Sequence, residues 1–144
     1  MVKAMQETTK YLCENIQGCV LGYTQSDEIT LVLCDYQTLE TSAWFDYQVQ
    51  KMCSVAASMC TMYFNKNFRY WVDHFKSTMS DTESARNYLE VLQNKLDSAM
   101  FDARCFNIPK EEVTNCVLWR QNDATRNSIQ SVGQFYFSHK ELQN

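Results

Sequence analysis

The chain has 144 residues, of which 45% are hydrophobic and 13% aromatic, with a net charge of −4 and only 3 Gly and 1 Pro. That length fits one domain of roughly 100–200 residues, and the apolar content excludes disorder, which needs few apolar residues and a high net charge. The acidic balance excludes a sequence-blind nucleic-acid binder, which would be basic, so any RNA contact falls to local patches.

Residues 1–16 read as a helix, because Ala4/Met5, Thr8, Tyr11/Leu12 and Ile16 recur at three- and four-residue spacing. Gln17-Gly18 ends it. Residues 19–24 (Cys-Val-Leu-Gly-Tyr-Thr) and 29–34 (Ile-Thr-Leu-Val-Leu-Cys) are two β-rich runs, and the polar residues Gln25-Ser26-Asp27-Glu28 between them predict an antiparallel hairpin. Residues 35–42 form a polar connection. Residues 43–64 read as a long helix with an apolar stripe of Phe45, Val49, Met52/Cys53, Ala56, Met59/Cys60 and Tyr63.

Residues 65–80 are aromatic and basic and read as irregular. Their Lys66, Arg69, Tyr70, Trp71 and Lys76 fit base stacking and phosphate contact as well as a subunit interface. Residues 81–98 read as a third helix capped by Ser80 or Asp81, and residues 101–106 as a short strand. Pro109 opens a fourth helix running to about Ser131, since the first helical N–H needs no partner. A last helix is expected from about His139. The order α-β-β-α-(α)-β-α becomes a split βαβ, or ferredoxin-like, pattern if one further strand precedes it.

The seven cysteines are odd in number, with no CxxC and no Cys/His pair at zinc spacing. They read as small core residues of a reducing compartment. No apolar run approaches the roughly 20 residues of a bilayer span, and Met1 to Glu7 hold no signal-type apolar region. The expectation is a soluble cytoplasmic protein with no membrane partner. His74 and His139 stand apart from any Ser or Cys nucleophile signature, so a nucleophilic triad has no support.

The chemistry concentrates at the hairpin tip. Asp27 and Glu28 are adjacent carboxylates at the end of a sheet, a place from which they can hold a hard cation such as Mg²⁺ together with phosphate oxygens and water. Ser26 beside them can offer a phosphate its N–H or hydroxyl, or make a turn hydrogen bond. Four blocks then follow in order: Tyr23-Thr24-Gln25-Ser26-Asp27-Glu28; Lys51 ahead of Ser54-Val55-Ala56-Ala57-Ser58; Phe101-Asp102-Ala103-Arg104; and Trp119-Arg120-Gln121-Asn122-Asp123-Ala124-Thr125-Arg126-Asn127.

On these blocks the chain resembles the tRNA-His guanylyltransferase family of 3′–5′ nucleotide polymerases. Thr125-Arg126-Asn127-Ser128, where the eukaryotic enzymes carry His-Ile-Asn-Asn, makes it similar to the bacterial and archaeal "guanylyltransferase-like" members associated with 5′-end repair. The resemblance implies an α+β fold, a ferredoxin-like polymerase palm with extra helices, over residues 1–144 as a single catalytic domain. The family's first strand, with its own metal-binding Asp and glycine-containing nucleotide loop, is not in this sequence, so the chain reads as a central piece, truncated at both ends.

The implied activity is Mg²⁺-dependent nucleotide addition to a tRNA 5′ end, with a two-ion site, by adenylylation of a 5′-monophosphate and attack of a nucleotide 3′-hydroxyl. Asp27 and Glu28 would be catalytic metal ligands. Ser26, Asp27, Lys51, Arg104 and Asn127 would bind the nucleotide, GTP or ATP. The implied partners are tRNA and a homotetramer of like chains. The alternative is a non-catalytic tRNA-binding or oligomer-forming fragment of such an enzyme. Another palm enzyme, such as a diguanylate cyclase, would carry Gly-Gly ahead of the carboxylates, which this chain does not.

Overall fold

The computed structural model describes residues 1–138; the helix expected from about His139 lies outside the described residues. The chain divides after Phe106 into two compact units. The α+β class expected from the sequence holds. In the first unit helix α1 (Val2–Asn15) leads into strands β1 (Cys19–Gln25) and β2 (Glu28–Leu33), followed by helices α2 (Val49–Thr78) and α3 (Glu83–Gln93). Among the described residues the sheet has these two strands alone, paired antiparallel with Gln25 opposite Glu28 at the closed end. No helix among them is long and apolar enough to cross a membrane.

The first core cluster joins α1, α2 and α3 through Ala4, Met5, Phe64, Phe68, Val72 and Leu89. The second joins Leu12, Ile16 and Cys60, with Ile29, Leu31 and Leu33 packed against it. Alternate residues of a strand share one face, so β2 turns its Ile29/Leu31/Leu33 face to the helices. Thr8 and Thr9 are buried on α1, and each satisfies its hydroxyl by donating to the carbonyl one turn back, Ala4 O at 2.7 Å and Met5 O at 2.9 Å.

Gly22 sets the distance between α1 and the sheet. A Cβ there would lie 2.3 Å from Cys13 Sγ and 2.9 Å from Thr9 Cγ2. The Thr9 side chain is pinned by its hydrogen bond, so it cannot swing aside. Gly22→Ala should therefore lower the urea-unfolding free energy by about 1–3 kcal/mol, the usual cost of overpacking. Adding Cys13→Ala should restore only part of the loss, since the 2.9 Å approach to Thr9 Cγ2 remains. A Gly22→Ala chain as stable as its parent would contradict this packing.

Three expectations need correction. Helix α2 starts at Val49, after a left-handed turn in which Phe45, Asp46 and Tyr47 have φ of 52°, 49° and 59°. It then runs through the segment expected to be irregular, to Thr78. The reason is a buried row at four-residue intervals, Cys60, Phe64, Phe68 and Val72, which carries the apolar face on while Lys66, Arg69 and Tyr70 stay exposed. The cap of α3 is Thr82, whose hydroxyl accepts from the Ala85 N–H at 3.2 Å, not Ser80 or Asp81.

The third correction is residues 101–106, which are not a strand. Side chains of α2 hold the chain at the start of this segment and just before it. Asn65 both donates to Ala99 O (2.9 Å) and accepts from Ala99 N (3.2 Å), and Thr61 Oγ1 accepts from Phe101 N (3.1 Å). The second unit contains a short 3-10 turn, Lys110–Glu112, after Pro109, and helix α4 (Val113–Tyr136). That helix runs one turn further than expected.

Candidate functional site

The hairpin folds as its sequence requires. Two residues, Ser26 and Asp27, turn between the paired Gln25 and Glu28, and Ser26 takes a positive φ of 51°. Two-residue hairpins use such left-handed positions because their twist matches that of the strands, and they usually fill them with Gly or Asn. A serine there is costlier, and strained residues of this kind concentrate at functional sites. Behind the turn, Tyr23 and Gln25 share a face and join through a hydroxyl donating to Gln25 Oε1 at 2.5 Å. Thr24 Oγ1 donates to Glu28 O at 3.0 Å, bracing the other side. All three tip residues are exposed.

The tip forms one wall of a cleft of about 630 Å³ in the first unit. Asp27 and Glu28 line it from the hairpin, Phe64 and Phe68 from α2, Met1 and Met5 from α1, and Lys95, Ser98, Met100, Phe101 and Asp102 from the segment after α3. Phe101 is held edge-on to Phe64 (centroids 5.3 Å apart, planes at 65°), its N–H donates to Thr61 Oγ1, and Asn65 holds Ala99 two residues earlier. Asp102, next in the chain, is exposed and lines the same cleft as the hairpin carboxylates. The cleft thus carries three carboxylates, Asp27, Glu28 and Asp102, against one ammonium, Lys95, above an aromatic floor.

The other expected site residues lie around this cleft or apart from it. Lys51 is exposed on the first turn of α2, with its Nζ 4.5 Å from the centre of the Phe45 ring. Arg104 is exposed and pairs with Asp102, Nη2 to Oδ2 at 3.4 Å, so it adjoins the cleft through that carboxylate. Neither lines the cleft. Asn127 belongs to α4 in the second unit, where its amide donates to Asp123 Oδ2 at 3.3 Å. Asp123 also accepts from Arg126 at 2.6 Å, so Asp123 and Asn127 share a helix face, as one-turn spacing requires. In the basic and aromatic stretch, Arg69 pairs with Asp97.

Lys95 and Asp102 are the site residues that sequence reasoning passed over. Asp102 stood only inside the Phe-Asp-Ala-Arg block, and nothing local marks Lys95. Both are brought in by long-range packing.

The donor set can be tested against a divalent cation. Among the described residues no three His, Cys, Asp or Glu side chains converge on one point. That rules against an all-protein cage. Two adjacent carboxylate residues on an exposed turn do fit Mg²⁺, which takes one or two carboxylates and completes its octahedron with substrate phosphates and water.

The sequence profile described as "Thg1: tRNAHis guanylyltransferase" matches residues 1–109. Two solved structures are similar. The chain is 38% identical to a bacterial tRNA(His) guanylyltransferase (Thg1)-like protein in complex with ATP, with a TM-score of 0.74 over 99% of this chain and 53% of that one. It is likewise 38% identical to a bacterial tRNA(His) guanylyltransferase (Thg1)-like protein in complex with GTP, with a TM-score of 0.71 over 95% of this chain and 55% of that one. A curated relative, uncharacterized protein R259 of Acanthamoeba polyphaga mimivirus, is 29% identical over 135 residues, 87% of this chain and 44% of the relative. The chain thus spans about half the length of the proteins it matches.

Proposed function

Because the chain belongs to the tRNAHis guanylyltransferase family, we propose that it is a nucleotidyltransferase working in the 3′–5′ direction on a tRNA 5′ end, with GTP or ATP as the nucleotide. The observation that carries this reading is the pair Asp27 and Glu28 on one exposed hairpin tip, lining a cleft that Lys95 and Asp102 also line. The likeness to proteins bound to ATP and to GTP supports it.

In this reading Asp27 and Glu28 hold Mg²⁺ through their carboxylates. The ion, when bound, draws charge from phosphate oxygens as it develops during phosphoryl transfer. The chain's own residues do the positioning. Ser26 offers its hydroxyl and N–H beside the same phosphates. Lys95 supplies a positive charge to polyphosphate oxygens within the cleft, and Arg104 supplies a planar fork once it leaves Asp102. The Phe64/Phe101 floor gives the tip a fixed base, so the carboxylates need little reorganisation when a nucleotide arrives. Lys51 and Asn127 take the outer contacts with nucleotide or tRNA.

The test is to incubate the chain with 5′-truncated tRNA, labelled nucleotide and Mg²⁺. Extension of the 5′ end is expected, and it should vanish with a chelator. Absence of any labelled product, in a chain shown to be folded, would overturn the catalytic reading.

A second reading has its own observation. Helix α4 leaves Trp119 at 69% and Phe135 at 81% exposure. Aromatic residues are enriched in interfaces, so this helix favours the alternative of an oligomer-forming piece; the homotetramer that the resemblance implies belongs to either reading. The tRNA-extension assay separates the two: a folded chain that binds tRNA or self-associates but adds no nucleotide supports the non-catalytic reading.

A further inference from the structure

We propose that Cys53 and Cys105 form a two-thiol oxidation site that closes to an intrachain disulfide under a mild peroxide, tying the 101–106 segment to helix α2. Nothing local in the sequence marks the pair, since the two residues lie 52 positions apart. The fold brings them together. Cys53 is on the second turn of α2, two residues after Lys51, and Cys105 follows Arg104 directly. Their sulfurs stand 3.5 Å apart, within thiol hydrogen-bond reach. A disulfide needs about 2.05 Å between sulfurs, so closure asks for a movement of about an ångström and a half. The segment that must move is suited to it. Residues 101–106 have no strand partner among the described residues, yet Asn65 and Thr61 keep their beginning docked on α2. The approach is thus both free and aimed.

Access favours Cys105, which is exposed, while Cys53 is half-buried behind it. In the first step the Cys105 sulfur attacks a peroxide oxygen. An S–O bond forms, the O–O bond breaks, and with the thiol proton the departing oxygen leaves as water, giving a sulfenic acid. The Cys53 sulfur then attacks the sulfenic sulfur, the S–S bond forms, and the hydroxyl leaves as a second water. Two thiols and one hydrogen peroxide give one disulfide and two waters, with the peroxide as the two-electron oxidant.

The thiolate is the attacking species. Burial, first of all, pushes the Cys105 thiol up to about 11. Closure should therefore be slow at neutral pH and speed up about tenfold per pH unit below that value. Cys60 makes an internal contrast: it is buried in the second core cluster, and burial alone pushes its thiol up to about 11. The consequence for nucleotide binding, a fixed Arg104 near the helix that carries Lys51, rests on the function proposed above; the bond itself does not.

The experiment uses the full reduced chain, treated with equimolar hydrogen peroxide at pH 8 to 9, alkylated, digested with trypsin without reductant and read by mass. The expected product joins the peptide Met52–Lys66 to the peptide Cys105–Lys110, and dithiothreitol should release it. It should disappear in Cys53→Ser and in Cys105→Ser, persist in Cys60→Ser, and lose its dominance when the chain is oxidised in urea. A product that persists in Cys53→Ser, or one dominated by a Cys13–Cys19 link or by links between chains, would overturn the proposal. So would a yield no higher in the folded chain than in urea. Because the readout is a covalent bond, it succeeds or fails independently of any tRNA extension.

Discussion

Replacing Asp27 with alanine is expected to abolish Mg²⁺-dependent binding of GTP while leaving the chain folded. Asp27 is exposed on a two-residue turn, so its loss removes no core contact, and surface changes of this kind move stability by about 0.5 kcal/mol or less. Its proposed role as a ligand is different in kind. Mg²⁺ here can hold only as many protein oxygens as the tip and cleft supply, with phosphate completing the shell. Removing one of two adjacent carboxylates removes half of that protein share. A single charge-assisted contact is worth about 1.5–3 kcal/mol, or roughly ten- to a hundred-fold in affinity. Loss of the metal removes its contacts to several phosphate oxygens together, so the Asp27→Ala effect should exceed a hundred-fold on the same scale.

Lys51→Ala, Lys95→Ala and Arg104→Ala test the other half of the arrangement. Each should weaken GTP by about ten- to a hundred-fold without ending its dependence on Mg²⁺. Arg104 carries an added consequence: its removal leaves Asp102 without the 3.4 Å guanidinium partner. That frees a carboxylate for the cation, so Arg104→Ala should bind Mg²⁺ alone no worse than the parent while losing GTP. Calorimetric titration with and without Mg²⁺ reads all four. If GTP binds Asp27→Ala and the parent equally, the metal assignment fails.

Which parts of this site could be read from the chain follows from how far the deciding contacts lie apart in sequence. The hairpin was legible because two β-rich runs and a four-residue polar break are local signals, and the closing pair Gln25/Glu28 sits within that break. Helix α1 was legible for the same reason, with Gly18 at φ 78° supplying its stop. The C-terminal half of α2 was not. Its exposed Lys66, Arg69 and Tyr70 hid a regular row of Cys60, Phe64, Phe68 and Val72, and the row has meaning only once α1 and α3 are there to bury it. Residues 101–106 carry β-favouring aromatics, yet Thr61, 40 positions earlier, takes the Phe101 N–H, and Asn65 holds Ala99 just before it. The same docking delivers Asp102 to the cleft, and no local pattern announces a hydrogen bond made from another element's side chain. Lys95 was hidden more completely, since an isolated lysine after a helix is ordinarily a solvated one.

The largest loss of stability is expected from Phe64→Ala. Phe64 is 7% exposed and sits at the middle of the first core cluster. It stacks on Phe68 with centroids 5.7 Å apart and meets Phe101 edge-on at 5.3 Å. Truncating a buried phenylalanine costs about 3–5 kcal/mol through lost transfer energy and the cavity left behind. A domain this size commonly has only about 5–15 kcal/mol in total, so the variant should sit near its unfolding threshold at 25 °C. Urea titration followed by circular dichroism should show a midpoint lowered in proportion, with the slope unchanged. The effect should reach the site as well, because Phe64 is both core and cleft floor. Without it Phe101, the residue before Asp102, loses the ring that it meets edge-on. Phe64→Leu separates these consequences. Leucine keeps most of the buried volume and should cost under about 1.5 kcal/mol, yet it cannot offer Phe101 an aromatic face. A folded Phe64→Leu chain with weakened Mg²⁺-dependent GTP binding would tie the aromatic floor to the carboxylates above it. A Phe64→Ala chain as stable as its parent would remove Phe64 from the core, and with it the argument that the cleft is built on packed ground.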